Sequence, residues 1–200
     1  MKKWIVPLVI IGVVALALLY VANLNNRLVP LDEGVSAQWG NVESAYQRRA
    51  DLIPNIVNTA KGYAEFEQET LTRVIEARSK ATAVQIDPSN ITPAQLEQFQ
   101  QVQSGLSSAL ARLLAVFERY PDLKANENFR ELINELERTE NRINVERNRF
   151  NEKALALNTE VNMFPAKMFA GMLGFEERAY FKAAEGSDVA PEVNFDFDDN

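Results

Sequence analysis

The chain has 200 residues, a net charge of −7, and neither cysteine nor histidine. Without those two residue types there is no thiolate nucleophile, no imidazole base, no disulfide and hardly any structural zinc chemistry. Six of the 28 acidic residues (Glu185, Asp188, Glu192, Asp196, Asp198, Asp199) fall in residues 185–200, which leaves 22 acidic against 21 basic and no basic stripe, so nucleic acid is not an expected partner.

Lys2 and Lys3, in the short segment 1–3, precede an uncharged run over residues 4–22. As a helix this run is about 28 Å long, close to the hydrocarbon thickness of a bilayer. Trp4 and Tyr20 stand near its two ends, where amphipathic rings favour the membrane interface. Pro7 falls in the first turn, where its missing N–H costs least. A cleaved signal peptide has a shorter apolar core and a small-x-small cleavage site, and Tyr20-Val21-Ala22 is a poor one. A single-pass anchor in a bacterial inner membrane is therefore expected, with the lipid bilayer as first partner. Lys2 and Lys3 before the span, against Arg27 alone until Arg48 after it, place the bundle on the extracytoplasmic side by the positive-inside bias.

Residues 23–31 read as a polar juxtamembrane linker and residues 32–181 as a helical bundle. A long helical pattern runs from about Asp32 to about Val84, with Val35, Trp39, Val42, Tyr46, Ile53, Ile56, Ala60 and Tyr63 at three-four spacing. A straight helix drifts against that spacing, so Ala50, Val57, Ala64, Leu71 and Ile75 are expected to take over the face. Pro54 should kink the helix modestly. After the breakers Asp87-Pro88-Ser89-Asn90, a second helix opens with Thr92 as N-cap, Pro93 in the first turn and Gln95 three residues after the cap. Its apolar face is Leu96, Phe99, Leu106, Leu110, Leu113, Phe117 and Tyr120. A third helix starts near Asn126, carries Phe129, Ile133, Leu136, Ile143, Phe150, Ala154, Leu157, Val161 and Phe164, and ends at Phe164-Pro165. A short amphipathic piece follows, with Met168, Phe169, Met172, Leu173 and Phe175; it is expected to adhere to the bundle or to another subunit rather than to lipid. Residues 182–200 form an acidic tail without periodicity, expected to be disordered.

These helices carry a recognisable set of words. The first reads Trp39, then Gln47-Arg48-Arg49-Ala50-Asp51-Leu52-Ile53-Pro54-Asn55, Lys61-Gly62-Tyr63 and Glu76-Ala77-Arg78. The hinge reads Glu118-Arg119-Tyr120-Pro121-Asp122-Leu123-Lys124, and the third helix Glu137-Arg138-Thr139-Glu140-Asn141-Arg142-Ile143, then Arg147, Phe150 and Asn151. Phe164-Pro165 and Gly174-Phe175 close the series. The chain resembles the LemA family of bacterial membrane proteins from the anchor to Phe181, with the acidic tail outside the family pattern. The resemblance implies a short N-terminal anchor and an antiparallel helical bundle, and it carries over no catalytic residue.

Glu140 and Arg147 stand seven residues apart on the apolar seam of the third helix, where a charge is costly unless paired or partly wet. A structural ion pair or snorkelling side chains that set register are expected there, ahead of a catalytic or ligand-binding carboxylate. Arg48, Arg49 and Asp51 lie beside Pro54; they are expected to bond carbonyls freed by the kink, or to pair between subunits, rather than to bind phosphate. Glu65, Glu67 and Glu69 read as solvated helix surface, so no metal, no cofactor and no catalytic residue is expected.

The expected architecture is all-α: a transmembrane helix followed by an antiparallel three-helix bundle, with room for a short fourth helix. A first helix running unbroken to Val84 would be about 80 Å long, twice the length of the second, so that Val35, Trp39, Val42 and Tyr46 would lack cover within the chain. Parallel neighbours in the same membrane would supply it, which makes these four residues the expected homo-oligomer interface. The expected function is a self-associating, non-enzymatic membrane scaffold or interaction module with an unknown protein partner. A membrane-stress or ligand sensor and a hydrolase using paired carboxylates are the alternatives.

Overall fold

The computed structural model describes residues 4–62 and 67–182. Lys2, Lys3, Tyr63, Ala64, Glu65 and the acidic segment 183–200 lie outside the described residues. Helix α1 (Ile5–Lys61) is one 57-residue helix, about 85 Å long. It is followed by α2 (Gln68–Ala83), α3 (Pro93–Phe117), the single-turn helix α4 (Pro121–Ala125) and α5 (Glu127–Asn162). Two 3₁₀ turns, Ala166–Met168 and Gly171–Leu173, follow, and the described chain ends in an extended segment at Lys182. No strand occurs among the described residues.

The apolar start of α1 is exposed on every side, and its most hydrophobic 18-residue window has no residue buried in the fold. A helix that is apolar all round and covered by nothing in its own chain is suited to lipid rather than water. The same helix continues beyond the span without a break. Residues 23–31, expected as a linker, are helical, and Leu24 and Leu28 in them are fully buried. The bundle therefore begins within a turn of the anchor.

The long helix expected up to Val84 is two helices. α1 stops at Lys61, and α2 packs mainly on α3. That makes a four-helix bundle of α1, α2, α3 and α5, with the fourth helix taken from the first pattern rather than from the segment after Pro165. Ile75, expected to inherit the inner face, is exposed because α2 presents Leu71, Val74 and Ala81 instead. The other boundaries follow from their caps. Thr92 and Gln95 form the reciprocal capping box that opens α3, and Asn126 Oδ1 accepts the Phe129 amide at 2.9 Å to open α5. Pro54 leaves the Ala50 carbonyl without its helical donor, and Arg78 Nε of α2 fills the place at 2.7 Å.

The core divides along the bundle axis. A distal cluster joins Ile53, Ile56 and Val57 of α1 to residues of α2, α3 and α5 such as Val74, Leu110 and Leu136. A membrane-proximal cluster contains Leu24, Leu28, Val35, Trp39, Val42 and Tyr46 of α1 and Phe150, Leu157 and Val161 of α5. It also takes in Ile86 and Ile91 of the α2–α3 loop, Ala166, Ala170 and Phe181. The four residues expected to form an oligomer interface are therefore core. Val35, Trp39 and Val42 are at most 1% exposed and Tyr46 is 7% exposed. The cover comes from α5, which returns the full distance to the membrane end, and from residues 176–182, which strap the groove between α1 and α5.

The strap is held by side-chain amides that pair with its backbone. Asn158 accepts the Arg178 amide at 2.8 Å and donates to the Arg178 carbonyl at 2.8 Å. Asn151 treats Phe181 in the same way, at 2.8 and 3.0 Å. Seven helical residues rise about 10.5 Å, and three extended residues span about 10 Å, so the asparagine spacing on α5 matches the strap. Phe181 then stacks on Trp39 with ring centroids 6.0 Å apart and meets Phe150 edge-on at 5.4 Å. Arg178 closes the strap onto α1 through Asp32 at 2.6 Å.

Candidate functional site

Between the two apolar clusters lies a polar layer built from one seam residue of each of three helices. On α1 the three-four spacing 35, 39, 42, 46, 49, 53 puts Arg49 inside the bundle, and it is 1% exposed. On α3 the series 96, 99, 103, 106 puts Gln103 inside. On α5 it puts Glu140 at the edge of the core, with its side chain 36% exposed. A buried guanidinium is tolerated only if its N–H groups find acceptors. Arg49 donates to Glu140 at 2.6 Å, to Ser107 Oγ at 2.9 Å and to Gln103 Oε1 at 2.5 Å. Gln103 passes the network on to the Ala81 carbonyl of α2 at 3.2 Å, so all four helices are tied at this level.

A cleft of about 240 Å³ opens beside this layer, lined among others by Tyr46, Arg49, Gln103, Glu140, Arg147 and Lys182. Arg147 does not pair with Glu140. It donates to the Lys182 carbonyl at 2.7 Å and to Gln100 at 3.5 Å, and its guanidinium lies 4.9 Å from the Phe181 ring centroid. Arg49 lies 5.1 Å from the Tyr46 ring centroid. Burial raises the Tyr46 hydroxyl above the usual phenol range despite the opposing pull of Arg147 and Arg49.

Of the charged residues expected to form a structural network, the fold brings Arg49, Glu140 and Arg147 to one cleft and separates the other two. Arg48 bonds Glu135 at the surface at 2.7 Å, and Asp51 accepts from Gln47 at 2.7 Å in solvent. The proline-freed carbonyl expected for Arg48 or Arg49 is taken by Arg78. Sequence reasoning missed Gln103, although it breaks the apolar series of α3 at a seam position, as Arg49 does on α1. It also missed Asn151 and Asn158 as strap holders, because their partners are backbone groups of an irregular segment.

Two of the carboxylates near the α2–α3 groove are ion-paired. Glu67 pairs with Arg119 at 2.8 Å and Glu69 with Arg73 at 2.5 Å. Of the residues expected at the membrane interface, Trp4 is exposed at the start of α1. Tyr20 is half-buried, its ring 6.0 Å from that of Phe169.

A membrane-length apolar helix continuing unbroken into a bundle pinned by a buried arginine defines a membrane-anchored antiparallel helical-bundle protein. The chain belongs to the LemA family, which it matches over residues 38–195. That match extends well into the acidic segment, contrary to the expectation that the tail lies outside the family pattern. The chain is similar to Magnetosome protein MamQ 2 of Paramagnetospirillum magneticum, at 25% identity over 82% of this chain and 66% of the relative. It is also similar to Protein LemA of Metamycoplasma hominis, at 28% identity over 72% of this chain and 62% of the relative. The matched region thus spans about two thirds of the length of these curated relatives.

Proposed function

We propose that this chain is a non-enzymatic interaction module, held on the extracytoplasmic face of a bacterial inner membrane. The observation that carries the reading is the state of Arg49. Both of its terminal nitrogens are engaged by Glu140, Gln103 and Ser107 of the same chain, and only the buried Nε lacks a partner, so the most buried charge of the bundle sets helix register instead of meeting a substrate. The continuity of α1 supports it, because an unbroken helix holds the bundle at a set orientation to its anchor. The extracytoplasmic side rests on Lys2 and Lys3 before the span against Arg27 after it. Self-association is not part of the proposal, since the surface from which it was argued lies inside the fold.

Glu140 separates this reading from a carboxylate-dependent hydrolase, being the one carboxylate among the residues lining the central cleft. In a deletion strain complemented at matched abundance, Glu140→Gln should restore the membrane proteome as well as wild type does. Loss of restoration with unchanged abundance and helicity would overturn the non-enzymatic reading. A cysteine at Ser89 should react with a membrane-impermeant thiol reagent in spheroplasts; protection until lysis would place the bundle in the cytoplasm.

A further inference from the structure

Seam spacing on α5 runs 150, 154, 157, 161 and would next bury Phe164. The helix instead ends at Asn162, and Phe164 is turned out, 84% exposed. The following turns sort their side chains by fours. Ala166 and Ala170 are buried, and Phe169 and Leu173 pack against the membrane-proximal cluster. Phe164, Met168 and Met172 face away from the core, with Met168 63% and Met172 84% exposed, and Met163 beside them is 53% exposed. These four make up nearly half of the large apolar side chains exposed outside the span among the described residues; the others are single residues at positions 29, 75, 145, 155 and 180.

Their position says what covers them. The ring contact of Phe169 with Tyr20 sets this segment beside the end of the apolar run of α1. One helical turn further on, Leu24 is buried by the same cluster, and Arg27 pairs with Glu160 in the last turn of α5 at 2.7 Å. The segment therefore flanks the point where α1 leaves the bilayer, at the depth where apolar and amphipathic side chains partition into the headgroup and acyl boundary. We propose that residues 163–172 are a second membrane contact, a monotopic foot whose Phe164, Met168 and Met172 insert into the lipid surface beside the anchor. Insertion is driven by apolar burial: the exposed cation Lys167 is accompanied by Glu176 and Glu177 nearby in sequence, so an anionic lipid is not required. Two contacts, α1 and the foot, fix the bundle's tilt relative to the membrane plane, which one helix alone cannot do.

The inference rests on α1 spanning the membrane, and the test separates the two. The absence of native cysteine permits single-site labelling of the full chain. Cysteines placed by Val13→Cys, Met168→Cys, Met172→Cys and Arg130→Cys are labelled with an environment-sensitive fluorophore in phosphatidylcholine vesicles. In vesicles containing doxyl-labelled lipid, the labels at 13, 168 and 172 should lose about half of their emission and the label at 130 less than about a tenth, as expected for immersed and aqueous sites. Quenching at 13 with 168 and 172 open to aqueous iodide would overturn the foot and leave the span intact. Shielding of 168 and 172 from iodide without lipid quenching would assign the patch to a protein contact and also overturn it. Absence of quenching at 13 would remove the span, and the foot with it.

Discussion

In the distal half of the bundle four helices interlock, and aliphatic side chains such as Ile53, Val74, Leu110 and Leu136 close a core of the ordinary ridge-and-groove kind. In the membrane-proximal half α1 and α5 continue beyond the ends of α2 and α3. There the core is closed by irregular chain: Ile86 and Ile91 from a loop, Ala166 from the first 3₁₀ turn, Ala170 from between the two turns, and Phe181 from the strap. Where helices surround a seam, mostly aliphatic packing with one ring pair, Phe117 and Phe129, closes the core. Where they do not, the fold uses large rings (Trp39, Phe99, Phe150 and Phe181) and side-chain amides that satisfy the backbone of the covering segment. The Arg49 layer lies at the junction of these two constructions.

The junction is the most sensitive point. Arg49→Ala strands Gln103 and leaves Glu140 without its partner, and should cost about 4 kcal/mol of stability, read by thermal or denaturant unfolding of the detergent-solubilised chain. A loss under about 1 kcal/mol would show that the layer is solvated and that the two halves share one uninterrupted core. Phe181→Ala removes the ring between Trp39 and Phe150 and should cost about 3 kcal/mol, limited because the strap can undock locally. In a Trp4→Phe background Trp39 emission should shift to the red while the distal half keeps its amide protection; equal loss of protection in both halves would mean that they unfold as one unit.

Asn158→Ala removes both strap bonds at Arg178 while leaving Phe181 in place, and a cost of about 1–2 kcal/mol is expected, with faster hydrogen exchange at residues 178–181. No change in that exchange would show that ring packing alone holds the strap. The smallest effect belongs to the α2–α3 loop. The Ser89 hydroxyl and then the Ser89 amide bond Asp87 and hold its carboxyl below the usual range. A lowered folded pKa contributes stability that is present above the ordinary carboxylate pKa and is lost as pH falls through the lower folded value. The Ser89 amide should therefore exchange faster, relative to other loop amides, only in strong acid, and Asp87→Asn should remove that dependence. A similar change near neutral pH would contradict the assignment.

Sequence patterning alone was enough for the anchor, the all-helical class, the α3 and α5 caps and most of the seam of α5. These depend on properties local to a few turns: transfer of side chains to lipid, satisfaction of the first N–H groups of a helix, and three-four periodicity. The same patterning singled out Arg49 and Glu140 but passed over Gln103, and the bonding of Arg49 to Glu140, Gln103 and Ser107 depended on the level at which three helices meet. Only the tertiary structure decided that α1 ends at Lys61, that Trp39 and Tyr46 are core, and that residues 176–182 cover them. A seam shows which face avoids water and not what will cover it. Here the cover is an irregular segment about 140 residues away in sequence, held through side-chain amides that leave no periodic trace.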